Sequence, residues 1–380
     1  MLAYLDHHAT TPCDRAVVEA MAPWWSERWA NPSSRLYRPA LEAAAAVEQA
    51  RERVASLLGA PSETRVVFTS GATEANNLAL KGVVEAAITG GGRRRHLLSV
   101  VTEHHAVLDP LRYLERLGFP LSLLPVAPDG LVDLAALEAV LGADDVLLVS
   151  VMAANNEIGV LQPLAEIARR CHHHGTLLHC DAAQAAGHVP LAMEALGIDL
   201  LSISGHKLYG PVGSGALLLR PEVALAPQQL GGSQEEGLRA GTLAAPLILG
   251  LAQALELACA DREERALRLG SLRDQLWQAL ETLGDVQRNG AEGPRLPHNL
   301  NVTVGGVDGT ALHQRLRRRI AVSSGSACSQ GSPSHVLQAL GRSRQQAAAS
   351  IRFGLGRHTT AAEISAAIEA VREAIQVLRR

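Results

Sequence analysis

The sequence predicts an α/β protein in which a large, mostly parallel β-sheet carries helices on both faces and a smaller α+β domain follows. Between residues 60 and 220, short β-rich segments alternate with longer helical segments, which is the pattern of parallel sheets. Hydrophobic residues make up 47% of the 380 residues and charged residues 19%, so the chain can bury a large core and is not disordered. Beyond residue 250 long helical segments dominate, which indicates the second domain.

Seven strands are predicted in the first part of the chain. They are Val66–Ser70, His96–Val101, Leu121–Leu124, Val146–Met152, Leu177–Asp181, Leu200–Ser204 and Ala216–Arg220. The helices between them cover 73–89, 106–117, 133–141 and 163–174. The second part is expected to contain a long helix over 250–284, a strand at Asn299–Val304, and helices near 309–319 and 360–379. Ligands of such sheets bind beyond the carboxyl ends of the strands, so the polar residues that follow the strands are candidates for a site.

Charge and composition exclude several classes of protein. The formal net charge is -3, which gives no electrostatic reason to expect binding to nucleic acid or to an anionic membrane. No apolar run reaches the roughly 18 residues of a membrane span, and the first residues lack the basic start and apolar stretch of a signal peptide. We therefore expect a soluble protein of the cytoplasm.

Cysteine and histidine spacing does not indicate a metal site. The five cysteines are too few and too scattered for a disulfide framework, and none forms a CxxC pair. The run His172 to His174 follows a helical segment that ends at Gly175, where cationic side chains suit the helix C-terminus. This position favours a solvated helix end over a metal site.

Lysine usage points to a residue with special chemistry. Only Lys81 and Lys207 are lysines, and arginine supplies the other 33 of the 35 basic residues. A position that keeps lysine in such a chain is suspected of needing an amine that can lose its proton and form a Schiff base. Lys207 follows a strand in the segment Ser-Gly-His-Lys, whereas Lys81 lies in a helical segment and has the ordinary interpretation of a solvated charge.

Two further strand ends carry groups that complement such a lysine. Strand Val66–Ser70 leads through Gly71 to a helix whose N-terminus favours an anion such as phosphate, although alone the segment is more typical of an ordinary turn. Asp181 ends an apolar strand, and alone it is more typical of a helix cap. Together the three segments predict a pyridoxal-phosphate site, with the lysine on the aldehyde, the aspartate on the pyridine nitrogen and the helix N-terminus on the phosphate.

One cysteine differs in its surroundings from the other four. Cys328 lies in a Ser/Gly-rich segment, which suits a nucleophile that must reach a cofactor and then a second acceptor. The remaining cysteines, in helical, strand-like or N-terminal segments, are interpreted as structural.

Ten motifs, distributed along nearly the whole chain, resemble those of NifS/IscS-type cysteine desulfurases. They are LDHHATTP, NPSS, FTSGATEANNLALKG, TEHHAVL, NNEIGVLQP, HCDAAQAAG, SGHKLYGP, GGSQEEGLRAGT, SSGSAC and SIRFGLGR. These enzymes belong to the class V aminotransferase group and have the type I fold of pyridoxal-phosphate enzymes. The resemblance implies a large cofactor-binding domain over 13–258 and a small domain formed by 1–12 and 259–380, with the cysteine loop at about 322–334.

The resemblance also implies roles for individual residues. Lys207 would carry the cofactor, Asp181 would pair with its pyridine nitrogen, and His104 would stack on its ring. Asn156 and Gln184 would reach the substrate and phenolic sides of the ring. The phosphate would be bound by Ala72, Thr73, Ser204 and His206, and by Thr242 from the other subunit of a homodimer. Arg352, with Asn31 nearby, would bind the substrate carboxylate, and Cys328 would accept sulfur from L-cysteine.

Three positions depart from the family pattern. His7 and His8 stand where many relatives have Tyr and a small or polar residue, and Ser233 stands where a third glycine is common. The segment between Cys328 and the next helix is a little shorter than in bacterial housekeeping enzymes, which bears on turnover rather than on the reaction.

The expected reaction converts L-cysteine to L-alanine and leaves a persulfide on Cys328. The sulfur would go to acceptor proteins such as an iron–sulfur scaffold, and to other sulfur-containing products. Alternatives on the same fold are a selenocysteine lyase, a cystine C–S lyase and an ordinary class V aminotransferase. A non-catalytic scaffold for sulfur assembly is a further alternative, although such a scaffold has no use for Lys207, Asp181, His104 and Cys328 together.

Overall fold

The computed structural model describes residues 2–143, 145–324 and 333–380, and Cys328 lies outside them. The strands are β1 Ala3–Tyr4, β2 Arg65–Thr69, β3 His96–Val100, β4 Leu121–Leu124, β5 Val146–Ser150, β6 Leu177–Asp181, β7 Leu200–Ser204, β8 Gly215–Leu219, β9 Val286–Arg288, β10 Asn299–Val304, β11 Ile320–Ala321 and β12 Ser350–Gly354. The helices are α1 Arg15–Met21, α2 Pro23–Ser26, α3 Arg38–Leu57, α4 Ala72–Thr89, α5 His105–Arg116, α6 Leu134–Ala143, α7 Leu164–His173, α8 Ala245–Ala260, α9 Arg262–Glu281, α10 Gly309–Leu316, α11 His335–Ala339, α12 Arg344–Ala348 and α13 Ala361–Leu378.

A seven-stranded sheet forms the centre of the larger part, in the order β2-β8-β7-β6-β5-β3-β4. Strand β8 is antiparallel to both of its neighbours, and the other pairs are parallel. Strands β7 and β8 are buried along their whole length, as expected of strands covered on both faces. The predicted α/β class with a mostly parallel sheet is confirmed.

Helices cover both faces of this sheet. Alternate strand residues pack into two different hydrophobic clusters, one with α1, α3, α6, α7 and α8 and the other with α4 and α5. The carboxyl end of β6 lies beside the first turns of α4, where the side chain of Asn76 donates a hydrogen bond to Asp181. The end of β7 lies there too, since Oγ of Ser204 is 3.9 Å from the place of a Cβ atom at Gly71. Polar residues from separate segments thus meet at one edge of the sheet.

A third hydrophobic cluster lies around two smaller sheets. Strands β12, β10 and β9 form an antiparallel sheet, and β1 pairs in parallel with β11. Their side chains pack with α9, α10 and α13. Residues 3–5 therefore pack with the C-terminal third of the chain, and the bridge between Asp6 and Gly354 brings the segment after β1 to the end of β12.

The predicted single helix over 250–284 is wrong. Helices α8 and α9 meet at Asp261, whose φ of -106° and ψ of 10° interrupt the helical geometry. Arg265 is buried beside the break and donates hydrogen bonds to the carbonyl oxygens of Ala258 and Gly187. Its guanidinium group satisfies a carbonyl that the end of α8 leaves free, so the chain can turn there without a glycine or proline.

The histidine run at the end of α7 contacts acidic side chains. Nε2 of His172 lies 3.0 Å from Asp199, and Nε2 of His174 lies 3.0 Å from Glu138. Within 2–143, 145–324 and 333–380, no group of three or more His, Cys, Asp or Glu side chains is arranged to hold a metal ion. None of the helices in these ranges has both the length and the apolar character needed to span a membrane.

Candidate active site

A cavity of about 330 Å³ opens at the carboxyl edge of the large sheet. Ten of the residues predicted for the site line it: Ala72, Thr73, His104, Asn156, Asp181, Gln184, Ser204, His206, Lys207 and Arg352. The volume lies within the range of small-molecule sites. Residues far apart in the sequence thus line one pocket, which contains several polar groups.

Lys207 enters the cavity from a short 3-10 turn, Gly205–Lys207, that directly follows β7. Its Nζ donates hydrogen bonds to the carbonyl oxygens of His8 and Ala9, both at 2.7 Å. Both of these acceptors are neutral backbone groups. The lysine is therefore oriented by the backbone of the N-terminal segment.

Asp181 is a buried carboxylate held by neutral groups. Its Oδ2 accepts a hydrogen bond from the Asn76 amide at 2.7 Å, and its Oδ1 accepts one from the Ala183 N–H at 2.9 Å. A buried carboxylate is costly unless a positive charge compensates it. The aspartate is thus suited to bind a cationic group in the cavity, such as a protonated ring nitrogen.

The N-terminus of α4 lies at the cavity and has no side-chain cap. Gly71 precedes it with φ of 149° and ψ of 178°, a conformation that is essentially restricted to glycine. The uncapped N–H groups and the helix dipole favour an anion. Thr73 and Ser204, which carry hydroxyl groups, also line this cavity.

His104 caps α5, and this contact determines its protonation. The backbone N–H of Ala106 donates to Nδ1 of His104 at 3.1 Å, so Nδ1 carries a lone pair and the proton of the neutral ring is on Nε2. Burial lowers the pKa of His104, the charge of Lys207 lowers it further, and Asp181 opposes the change. His104 is therefore a neutral N–H donor near pH 7.

Arg352 on β12 is only 1% exposed and is already paired. It donates to Oδ1 of Asp6 at 2.8 Å and to the carbonyl oxygen of Asn156 at 3.0 Å, while its Nε has no hydrogen-bond partner within the described residues. Because a guanidinium group has five N–H donors, it retains donors for a carboxylate ligand. Asp6 fixes the position of this group.

Three predicted residues are not part of this cavity in the described chain. Asn31 is exposed, and its side chain accepts a hydrogen bond from the Ser33 N–H. Thr242 lines a neighbouring cavity of about 250 Å³ that shares Ser70 and Gly213 with the first one. Cys328 lies outside the described residues.

Sequence reasoning missed three residues that shape the site. Asn76 holds Asp181, and it lies one helical turn beyond Ala72, a spacing that could have indicated it. Glu103 is fully buried, and burial raises the pKa of its carboxyl well above its usual value, with a smaller contribution from Asp181. His8 was noted only as a departure, yet its ring contacts Gln184 and its carbonyl oxygen contacts Lys207.

The donor set of the cavity fits pyridoxal phosphate. An amine, a buried carboxylate without a charged partner among its hydrogen bonds, and an uncapped helix N-terminus are three features that this cofactor requires. Gly215 supports the fit, because a Cβ atom there would lie 2.6 Å from Cα of Gly71 and would displace the turn before α4. Because Gly215 has no Cβ atom, the turn at Gly71 can lie against β8 beside the cavity.

Comparisons with known proteins agree with these features. The model of the family described as "Aminotransferase class-V" matches residues 3–367. A "Cysteine desulfurase IscS" of Rickettsia akari is 45% identical over 99% of this chain and 92% of its own length. A solved structure described as a "NifS-like protein" is 36% identical, with a TM-score of 0.92 over the whole of both chains. A second, "SspA in complex with cysteine", is 34% identical, with a TM-score of 0.81 over 94% of this chain and all of its own.

Proposed function

The chain belongs to the class-V aminotransferase family, and on this premise we propose that it is a pyridoxal-phosphate-dependent cysteine desulfurase. The observation that carries the proposal is the meeting of Lys207, Asp181 and His104 in one cavity with the uncapped N-terminus of α4. The substrate is L-cysteine, in agreement with the names of the relatives. The products are L-alanine and a sulfur atom that passes to an acceptor.

The residues that would hold the cofactor line the cavity. Lys207 would bind its aldehyde carbon, and Asp181 its ring nitrogen. Its phosphate would be bound by Ala72, Thr73, Ser204 and His206, and its ring would be flanked by His104, Asn156 and Gln184. When bound, pyridoxal phosphate supplies an electron-accepting ring that weakens the bonds around Cα of an amino acid.

Substrate binding and proton transfer are assigned to four side chains. Arg352, held by Asp6, would bind the carboxylate of L-cysteine, with Asn31 nearby in the role that the resemblance gives it. Nζ of Lys207 is the base that takes and returns the proton at Cα. His104 donates from Nε2, because its Nδ1 is occupied by the Ala106 N–H.

Sulfur transfer requires a thiolate as acceptor. The thiolate of Cys328 attacks the substrate sulfur, the C–S bond breaks, the S–S bond of a persulfide forms, and the carbon takes up a proton to give L-alanine. Two other cysteines are poor candidates, because burial raises the pKa of Cys171 to about 12 and that of Cys180 well above its usual value. Thiols that hold their protons so firmly are weak nucleophiles.

The wider setting of the reaction is also part of the proposal. The protein acts as a homodimer in which Thr242 of each chain completes the phosphate site of the other, and it passes sulfur to acceptor proteins such as an iron–sulfur scaffold. Val212 borders the cavity and is 73% exposed, so an apolar side chain is available for an interface at this edge. The large domain is 13–258, the small domain is 1–12 with 259–380, and the location is the cytoplasm.

The test is to incubate the purified protein with L-cysteine and to measure alanine, sulfide and the mass of the cysteine-containing peptides. Cys328→Ser should still bind the cofactor and L-cysteine, because Lys207, Asp181 and Arg352 are unchanged. It should lose sulfide release and the mass gain of one sulfur atom on the peptide containing residue 328. A hydroxyl is a far weaker nucleophile than a thiolate at neutral pH.

Cys13→Ser is the matched control, because Cys13 is an exposed thiol in the same chain. It should behave as the unchanged protein in every assay. Formation of pyruvate instead of alanine would identify a lyase, and a requirement for a keto acid would identify an aminotransferase. Sulfur added to Cys13, Cys171, Cys180 or Cys259 instead of Cys328 would refute the assignment of the acceptor.

A further inference from the structure

A chain of hydrogen bonds leads from a buried arginine to the wall of the cavity. Arg295 donates from Nη2 to Oδ1 of Asn299 at 3.1 Å, and Nδ2 of Asn299 lies 3.1 Å from Nε2 of His8. Nδ1 of His8 in turn lies 2.9 Å from Oε1 of Gln184, which lines the cavity. All four residues are buried. The chain therefore connects the region around β10 to the active site through protein groups alone.

The direction of every bond in this chain is fixed by its first member. A guanidinium group can only donate, so the atom of Asn299 that faces Arg295 must be the amide oxygen. The amide nitrogen of Asn299 then faces His8, and it also donates to the carbonyl oxygen of Glu157 at 3.1 Å. Nε2 of His8 must accept, which leaves the single proton of the neutral ring on Nδ1.

The same logic fixes the side-chain amide of Gln184. The N–H on Nδ1 of His8 requires an acceptor, so Oε1 of Gln184 faces the ring. Nε2 of Gln184 donates to the carbonyl oxygen of His8 at 3.0 Å. A flipped amide would set two acceptors against each other at the carbonyl and two donors against each other at the ring. The carbonyl oxygen of His8 also accepts from Lys207, so one residue contacts both side chains.

We propose that His8 is a positioning residue that fixes the orientation of the Gln184 amide in the cofactor cavity, and that Arg295 and Asn299 fix the tautomer of His8. The inference rests on the proposed function only in naming the cofactor that Gln184 faces. Its chemical content is that the cavity presents an amide of fixed polarity to an oxygen-bearing aromatic ligand. Asn299 and Arg295 do not line the cavity, and His8, which does, acts in this proposal through Gln184.

The surroundings of His8 keep its ring neutral. Burial lowers the pKa of His8 well below its usual value, and Arg352, His188 and Lys207 lower it further, whereas the bond to Gln184 opposes the change. The ring stacks on His298 at 4.6 Å, and His298 stacks on His188 at 4.3 Å. Burial lowers the pKa of His298 well below its usual value and that of His188 to about 4. A second proton on His8 would also point at the amide nitrogen of Asn299.

The first test reads the tautomer directly in the holoenzyme. Nitrogen-15 NMR of protein labelled at histidine should show that the His8 ring has a protonated Nδ1 and an unprotonated Nε2, unchanged from pH 8 to pH 6. His7, whose Nδ1 lies 3.1 Å from the carbonyl oxygen of Gly354, should give a second signal of this kind that remains in the His8 variant. Assignment follows from the loss of the His8 signal in His8→Asn. A His8 ring that is protonated on Nε2, or that carries two protons in this range, would overturn the proposal. The measurement does not depend on which reaction the enzyme catalyses.

The second test compares two substitutions by their affinity for pyridoxal phosphate. His8→Asn keeps an N–H close to the place of Nδ1, whereas His8→Leu keeps the volume but removes the donor. The dissociation constant should remain near that of the unchanged protein in His8→Asn and rise about tenfold in His8→Leu, because a buried amide oxygen loses its partner. A purely structural role predicts the reverse order, since asparagine leaves the larger void.

His298→Leu is the matched control for the second test. His298 lies in the same stack and is equally buried, but none of its side-chain nitrogens bonds to Gln184 within the described residues. His298→Leu should change the melting temperature. Its dissociation constant for pyridoxal phosphate should stay within about twofold of that of the unchanged protein, whereas the tenfold rise expected for His8→Leu corresponds to about 1.4 kcal/mol. An equal loss of affinity in His298→Leu and His8→Leu would overturn the proposal. Absence of alanine formation in a protein that passes both tests would count against the proposed reaction alone.

Discussion

At the scale of single residues, the two lysines give a direct comparison. Lys207 is held by two carbonyl oxygens in the cavity. Lys81 lies on α4, and its Nζ is 5.0 Å from the ring centre of Tyr113 on α5. Lys207→Arg should abolish covalent attachment of the cofactor, because a guanidinium group does not lose its proton to attack an aldehyde. Mass spectrometry of borohydride-treated peptides measures the attachment.

Lys81→Arg is the control for this experiment. Arginine keeps the positive charge and the contact with an aromatic ring, so both the attachment of the cofactor and the rate of alanine formation should equal those of the unchanged protein. Cofactor found on the peptide containing residue 81, or retained in Lys207→Arg, would contradict the assignment of Lys207.

Glu103 connects the site to the pH dependence of stability. Its Oε1 accepts a hydrogen bond from the Met152 N–H at 2.6 Å, and its Oε2 has no partner within the described residues. Burial raises its pKa well above 4.5 in the folded protein, so folding takes up a proton between pH 4.5 and the raised value. The stability that this group contributes is present in acid and is lost as the pH rises.

Glu103→Gln should therefore be more stable than the unchanged protein at pH 8, and the difference in melting temperature should shrink towards pH 5. The amide is nearly isosteric with the protonated carboxyl and has no charge to bury. Glu115→Gln is the control, because Glu115 is exposed on α5 and its melting temperature should follow that of the unchanged protein at every pH. A difference for Glu103→Gln that is constant from pH 5 to pH 8 would contradict the prediction.

At the scale of elements, substitutions at the two ends of α4 distinguish an effect on cofactor binding from an effect of backbone strain. Gly71 at the N-terminus and Gly91 beyond the C-terminus both have positive φ, 149° and 73°. A Cβ atom at Gly91 would have no other atom within 4 Å. Alanine at either position should cost stability of about 1–3 kcal/mol through backbone strain.

Only Gly71→Ala should also weaken cofactor binding. The turn before α4 must keep its N–H groups directed at the cavity, so we expect the dissociation constant for pyridoxal phosphate to rise about tenfold, as expected when a charge-assisted hydrogen bond is impaired. Equilibrium dialysis of both variants measures this difference. Equal affinities in Gly71→Ala and Gly91→Ala would show that the N-terminus of α4 does not bind the phosphate.

The same scale shows which parts of the fold the sequence could predict. The bounds of β6 and β7 were predicted correctly, because each is an apolar run that ends abruptly in polar residues. The break between α8 and α9 was not, because it depends on Arg265 reaching Gly187, a residue 78 positions away. His8 was missed for a similar reason, since its partner Asn299 is 291 positions distant. Local patterns predict elements, whereas contacts between distant segments determine breaks and positioning residues.

At the scale of the whole molecule, the cavity is lined by residues from both the large sheet and the small antiparallel sheet. Lys207 and Asp181 extend from the large sheet, whereas Arg352 extends from β12 of the small antiparallel sheet. Arg352 also binds Asp6, which follows β1. The group expected to bind the substrate therefore lies on the small antiparallel sheet, and the groups expected to bind the cofactor extend from the large one.

The proposed homodimer can be tested by mixing inactive chains. If Thr242 acts across an interface, heterodimers of Lys207→Ala and Thr242→Ala contain one intact site, because the chain that keeps Lys207 receives Thr242 from its partner. Random reassociation should restore about a quarter of the activity at limiting cofactor, since half of the dimers are mixed and each has one intact site of two. Lys207→Ala mixed with Asp181→Ala is the control, because both residues line the same cavity of one chain and no intact site can form. Recovery in the control, or none in the first mixture despite heterodimers identified by mass spectrometry, would show that Thr242 does not complete the partner's site.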